Sequence, residues 1–174
     1  PYPVINNDSI DSAVALINNA KKPFIVWGQG VILGKAEEEF KNFVEKSGIP
    51  AAWTILGLSA LPTSHELNVG MVGMHGNYGP NILTNKCDLL IASGMRFDDR
   101  VTGDPSSYAS QAKIIHLEID PAEVDKNIKV DVPVIGNCKE SLKIITNKID
   151  KRSHKKWISK FDDLMKIEFD KVIK

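Results

Sequence analysis

Several things are scarce in this sequence, and each scarcity removes a class of protein. There are only two cysteines, Cys87 and Cys138, in unrelated contexts. That excludes a disulfide scaffold, a thiolate metal site and a Cys-x-x-Cys redox motif. Neither sign of charge is in excess: 22 Lys and Arg stand against 22 Asp and Glu. The electrostatic footprint of a nucleic-acid or anionic-membrane binder is therefore missing. No apolar run approaches the ~20 residues of a membrane helix, and no signal-peptide pattern is present. Internal repeats and low-complexity tracts are also lacking. The expectation is a cytoplasmic protein in a reducing compartment, with no nucleic-acid and no membrane partner. The chain opens on PYPV without Met, so we expect a piece of a longer chain or a processed one.

What is present suits one well-packed domain: 174 residues, 43% hydrophobic and 25% charged. Short apolar runs alternate with amphipathic ones. NNDS (6–9) offers N-cap residues ahead of Ile10, Ala13, Val14 and Ile17 at helical spacing. Phe24–Trp27 reads as a strand stopped by Gly28. KAEEEFKNFVEKSG reads as a helix with Phe40, Phe43 and Val44 inward and Gly48 as its stop. IPAAWTI, DLLIAS, KIIHLEID and DVPVIG read as further strands. GPNILTNKC, PAEVDKN and CKESLKIITNKI read as helical segments between or after them, with Pro80 and Pro121 in first turns. Strand, helix, strand at these spacings means parallel βαβ units, and the continuous apolar strands mean a sheet covered on both faces. The expected fold class is α/β: a doubly wound, Rossmann-like parallel sheet of five or six strands. Residues 1–149 would form this domain. Residues 150–174, with Trp157, Phe161, Leu164, Met165 and Val172 near one helical face, read as a connector helix rather than a core element.

In such sheets ligands bind beyond the carboxyl ends of the strands. Those ends read WGQG, WTILG, ASGMRFDDR, LEID and VIGN. GQGVILG misses the dinucleotide fingerprint because Gly34 falls one residue late for GxGxxG, and no acidic residue follows the second strand. Gly28 and Gly30 read instead as a tight strand-to-helix turn, able to present N–H groups to a phosphate. GMHG (73–76) is a second glycine-bracketed segment. Its His75 has no partner at a defined spacing that would make it a base. His116, inside a strand, reads as structural, and His65 and His154 carry no signal. GMRFDDRVTG places Arg96, Asp98, Asp99 and Arg100 at a strand end. Arginine forks match phosphate oxygens, and carboxylates accept from ribose hydroxyls. Glu118 adds a ribose-type acceptor, and Asn137 an amide able to read an adenine edge. The rim points to a nucleotide. No metal-binding cluster is read.

GMHG, GMRFDDRVTG and IIHLEIDPAEVDK, in this order and spacing, resemble the central domain of the acetolactate synthase (acetohydroxyacid synthase) catalytic subunit, in the thiamine-diphosphate enzyme family. WTILGLSALP resembles the stretch that family carries ahead of GMHG. The resemblance spans nearly the whole chain. It implies an enzyme of three α/β domains that binds thiamine diphosphate, magnesium and FAD. Such an enzyme condenses pyruvate with a 2-keto acid, with loss of CO2, in branched-chain amino-acid biosynthesis. It further implies that Gly28, Gln29 and Gly30 approach the FAD chain, and that Thr54, Ile55, Gly73, Met74 and His75 line the flavin end. Gly94, Arg96, Asp98, Arg100 and Val101 would meet the middle of the cofactor. Glu118 and Ile119 would meet the adenosine ribose, and Asn137 and Cys138 the adenine. Many family members have Asp where this chain has Asn137. Asp99 and Arg100 would face the substrate channel.

The GDG motif that holds the metal and diphosphate in this family does not occur here, and neither does the activating Glu. No catalytic residue is therefore expected in this chain. Its partners would be FAD, N- and C-terminal domains of the same chain, a homo-oligomer and a regulatory subunit. Two other readings are the central domain of a different thiamine-diphosphate enzyme, an oxidase or a carboligase, and a non-catalytic nucleotide-binding module.

Overall fold

The computed structural model describes residues 3–73 and 76–173, without the side chains of Leu58, Asp99, Arg100, Val172 and Ile173. The chain opens on helix α1 (Asn7–Asn19), capped by Asn6, whose Oδ1 accepts from the N–H groups of Asp8 and Ser9. Strand β1 (Pro23–Trp27) follows, then a single turn of helix α2 (Gln29–Leu33) and α3 (Glu37–Ser47). Gly48 stops α3 in the left-handed region, φ 65°. An added Cβ there would run into the Arg152 carbonyl, so the stop is also a close approach of two chain segments. Next come β2 (Ala51–Trp53), β3 (Asn68–Met71), α4 (Tyr78–Thr84), β4 (Leu89–Ser93) and a short helical turn α5 (Asp99–Thr102). The chain closes with β5 (Lys113–Glu118), β6 (Val132–Ile135), α6 (Cys138–Lys148) and α7 (Lys155–Ile173).

The six strands form one all-parallel sheet in the order β3-β2-β1-β4-β5-β6, as expected for a doubly wound α/β fold. Its central strands are buried on both faces by alternation. Ile25, Trp27, Leu89, Ile91, Ile115 and Leu117 point to a core shared with α1, α3 and α6. Phe24, Val26, Leu90, Ala92 and Ile114 point to a second core shared with α4 and α7.

Three local readings differ from expectation. β3 was not anticipated. It is an edge strand reading NVGM, with Gly70 at φ 112° and an irregular register against β2, so little in its residues marks it. α2 and α5 are helical turns where loops were read. The tail also departs from the connector reading. The first turns of α7 are a core element: Trp157 and Phe161 are buried, and Trp157 Nε1 donates to the Pro23 carbonyl at 2.6 Å. Phe161 meets both Phe24 and Trp157 edge-on, with centroids 5.2 and 5.3 Å apart. Only the distal half keeps apolar side chains in solvent, Ile167 and Phe169.

Candidate functional site

The chain leaves β1 toward β2 and β3, and leaves β4 toward β5 and β6, so the loops after β1 and β4 part at the carboxyl edge. Ligand crevices form at such switch points. Here a cleft of 840 Å³ runs along that edge. All six strand ends line it: Met71 to Gly73 after β3, Thr54 to Leu56 after β2, and Gly28 to Gly30 with Leu33 and Gly34 after β1. Gly94 to Arg96, Asp98 and Val101 follow β4, Leu117 to Ile119 close β5, and Asn137 and Cys138 follow β6.

The cleft gathers Gly28, Gln29, Gly30, Thr54, Ile55, Gly73, Gly94, Arg96, Asp98, Val101, Glu118, Ile119, Asn137 and Cys138, all singled out from sequence. Met74 and His75 lie outside the described residues. The backbone of Asp99 and Arg100 is helical, and their side chains lie outside the description. Leu56, Met95 and Leu117 also line the cleft, within strand ends read as the rim but not named singly; Leu33, Gly34, Met71 and Val72 line it and were missed. A signal for two of them existed. Ile-Leu-Gly follows a strand end twice, at 32–34 and 55–57, where loops are normally polar.

The glycines after β1 have a different task from the one expected. The N–H of Gly28 donates to the Ser93 carbonyl at 3.0 Å, and that of Gly30 to the Gly94 carbonyl at 2.7 Å. Both donors are thus committed to the neighbouring loop, and the phosphate-cradle reading fails for them. An added Cβ on Gly30 would sit 2.6 Å from Gly94 Cα, and one on Gly28 2.8 Å from Met95 Cβ. Gly94 itself has φ 60°. The three glycines let two loops touch backbone to backbone at the cleft floor.

The loop after β4 alternates. Met95 and Phe97 are buried in the second core, while Arg96 and Asp98 are exposed. The Phe97 carbonyl is held by Asn127 Nδ2 at 2.7 Å. Asp98 caps α5, its Oδ1 accepting from Val101 N–H at 3.3 Å. Apolar anchoring of every second residue thus delivers a cation and an anion to the cleft.

Glu118, at the end of β5, is only 10% exposed. Burial pushes its pKa up, but His116 and the N–H groups of Asp120 and Ile119 outweigh it and hold the carboxyl below its ordinary range. An ionised acceptor therefore stands in the cleft. Asn137 caps α6 through Oδ1, which accepts from Lys139 N–H at 2.9 Å. Its amide nitrogen is left for a ligand. Cys138 Sγ lies 3.3 Å from Ser93 Oγ, and burial pushes its thiol up to about 11. It is a neutral lining group, not a nucleophile. Gly73 is tied to α4 by a reciprocal pair: its N–H donates to Asn81 Oδ1 at 2.9 Å and its carbonyl accepts from Asn81 Nδ2 at 3.0 Å.

The cleft also holds apolar surface in solvent. Among the described residues eight large hydrophobic side chains are exposed, and four of them, Leu33, Ile55, Leu56 and Ile119, line it. Concentrated apolar exposure of this kind marks a surface that something covers. A charged pair, an ionised carboxylate and an apolar lining along one trough suit an elongated ligand with ring, hydroxyl and anionic parts. No cluster of metal-ligating side chains occurs among the described residues.

Comparison with known proteins places the chain in a family. A probable acetolactate synthase large subunit of Methanococcus aeolicus is 46% identical over 141 residues, covering 81% of this chain and 24% of that protein. The acetolactate synthase large subunit of Corynebacterium glutamicum is 50% identical over 133 residues, covering 76% of this chain and 21% of that protein. A probable large subunit of Methanocaldococcus jannaschii is 40% identical over 161 residues, covering 91% and 27%. The chain therefore spans about a quarter of the length of these relatives. Residues 10–145 match the model of the thiamine pyrophosphate enzyme central domain, and the chain belongs to that family.

Proposed function

We propose that the chain is the FAD-binding central domain of an acetolactate synthase catalytic subunit. One observation carries the cofactor assignment: residues from all six strand ends line a single cleft. Five inter-strand intervals of ~4.8 Å give a trough of about 24 Å, the scale of an extended dinucleotide rather than a mononucleotide. The chemistry along it fits FAD. Glu118 offers an ionised acceptor for a ribose diol, Arg96 a guanidinium for the anionic middle, and Ile55 and Leu56 apolar surface for a flavin ring.

The condensation of pyruvate with a second 2-keto acid forms one carbon–carbon bond and releases CO2, with no net oxidation. Bound FAD would therefore supply no redox equivalents and would serve structurally. Thiamine diphosphate and magnesium would be held by other domains, since this chain has no GDG motif. The isolated domain would be inactive. We assign the distal half of α7 a linker role toward a C-terminal domain, within a cytoplasmic homo-oligomer with a regulatory subunit. Asp99 and Arg100 are proposed for the substrate channel.

The test uses the full-length enzyme. Arg96→Ala should weaken FAD about tenfold or more, the scale of one hydrogen bond to a charged group. Thiamine diphosphate affinity should hold. Unchanged FAD affinity in both Arg96→Ala and Glu118→Gln would sink the assignment.

A further inference from the structure

His116 sits within β5, in register with Ala92 of β4, and is fully buried. Ala92 beside it belongs to the second apolar core, and the Phe97 ring of that core stands edge-on at 4.9 Å. A leucine or valine would fill such a position without a polar group to satisfy. The imidazole is instead engaged at one nitrogen. Nε2 donates to the Met95 carbonyl at 2.8 Å and lies 3.5 Å from Glu118 Oε2. Nδ1 has no partner among the described residues, so both contacts depend on a single N–H.

The place of those contacts matters. On this side β4 runs out where the Gly94 N–H donates to the Leu117 carbonyl at 3.1 Å. The next carbonyl, Met95, is taken by the imidazole. Met95 is the residue before Arg96. On the other side, Glu118 Oε1 accepts from the N–H groups of Ile119 and Asp120 at 3.0 and 3.2 Å, leaving Oε2 toward the histidine. One buried ring therefore joins the start of the arginine-bearing loop to the acidic end of the neighbouring strand.

We infer that His116 is a positioning residue that holds Arg96 and Glu118 at a fixed separation, for a ligand with an anionic group and a hydroxyl pair. The inference rests on reading the cleft as the FAD site. It predicts that affinity depends on the Nε2 donor and that His116 acts through Glu118. The test is FAD titration of the full-length enzyme, followed by flavin fluorescence. Glu118→Gln is the reference and should weaken binding about tenfold. His116→Phe keeps a ring and removes the donor, and should cost about the same. His116→Gln returns an amide N–H near the Nε2 position and should bind within about threefold of the parent. The double variant His116→Phe/Glu118→Gln should lose less than the product of the two single losses, since the two changes share the Glu118 link while only the first frees the Met95 carbonyl. Should His116→Phe fail to fold, His116→Asn replaces it, because its amide stops at the Nδ1 position. Normal binding by the donor-free variant beside weak binding by Glu118→Gln would overturn the inference, as would losses that multiply in the double variant. Normal FAD binding by both Glu118→Gln and Arg96→Ala would overturn the cleft reading, and the inference with it.

Discussion

Gly30 shows how much a single missing Cβ can decide. Gly30→Ala would place a methyl 2.6 Å from the Cα of Gly94, against backbone that cannot rotate away. We expect a loss of about 1–3 kcal/mol by urea denaturation, the cost of overpacking a closed contact. His154 gives a second residue-scale expectation. It is buried, its Nδ1 donating to the Gly48 carbonyl at 3.2 Å. Burial holds its pKa below the ordinary 6.5, with the Arg152 charge adding to that and the Gly48 carbonyl opposing it. The unfolded chain then binds the proton more readily than the folded one. The contribution of His154 to stability is complete above pH 6.5 and declines as pH falls below it. His154→Asn keeps a donor for Gly48 and removes the titration. Its urea midpoint should fall less between pH 7 and pH 5 than that of the parent.

Among the elements, α7 behaves as two helices in one. Phe161 is fully buried between Phe24 and Trp157, whereas Phe169, two turns on, is 62% exposed. Phe161→Ala should cost about 3–5 kcal/mol, and Phe169→Ala should stay within about 0.5 kcal/mol. Chemical denaturation of both variants checks the division. From sequence the helix was legible and its destination was not, because an apolar stripe does not say which surface covers it. The same limit explains the rest. The strands Phe24–Trp27, DLLIAS and KIIHLEID announce themselves by continuous apolar content bounded by glycine or acid. β3 does not, because an edge strand needs only one buried face and Val69 supplies most of it. In the cleft, charged and glycine residues at strand ends were readable, since their position is fixed once the sheet is known. The Met95 partner of His116 was not, because that contact joins residues 21 apart in the chain.

Across the whole molecule, the two edges of the sheet carry carboxylates for different purposes. At the amino edge Asp88 accepts from the N–H groups of Lys21 and Lys22 at 2.8 and 2.9 Å, and Asp131 from that of Ile114 at 2.8 Å. These acids fasten one strand entry to the next. At the carboxyl edge Asp98 and Glu118 line the cleft. The floor of that cleft has a kinetic consequence. The Gly30 amide lies in a loop at the floor of an open trough, where loop amides ordinarily trade hydrogen for deuterium quickly. Yet it is bonded at 2.7 Å to the carbonyl of the facing loop. Its exchange should be as slow as that of the Ile25 and Ile91 amides inside the sheet, since all three open together. Site-resolved exchange measurements read this directly: a fast Gly30 amide beside slow strand amides would mean that the two loops part before the sheet does. A slow one makes the trough a preformed mould, with its shape set before any ligand arrives.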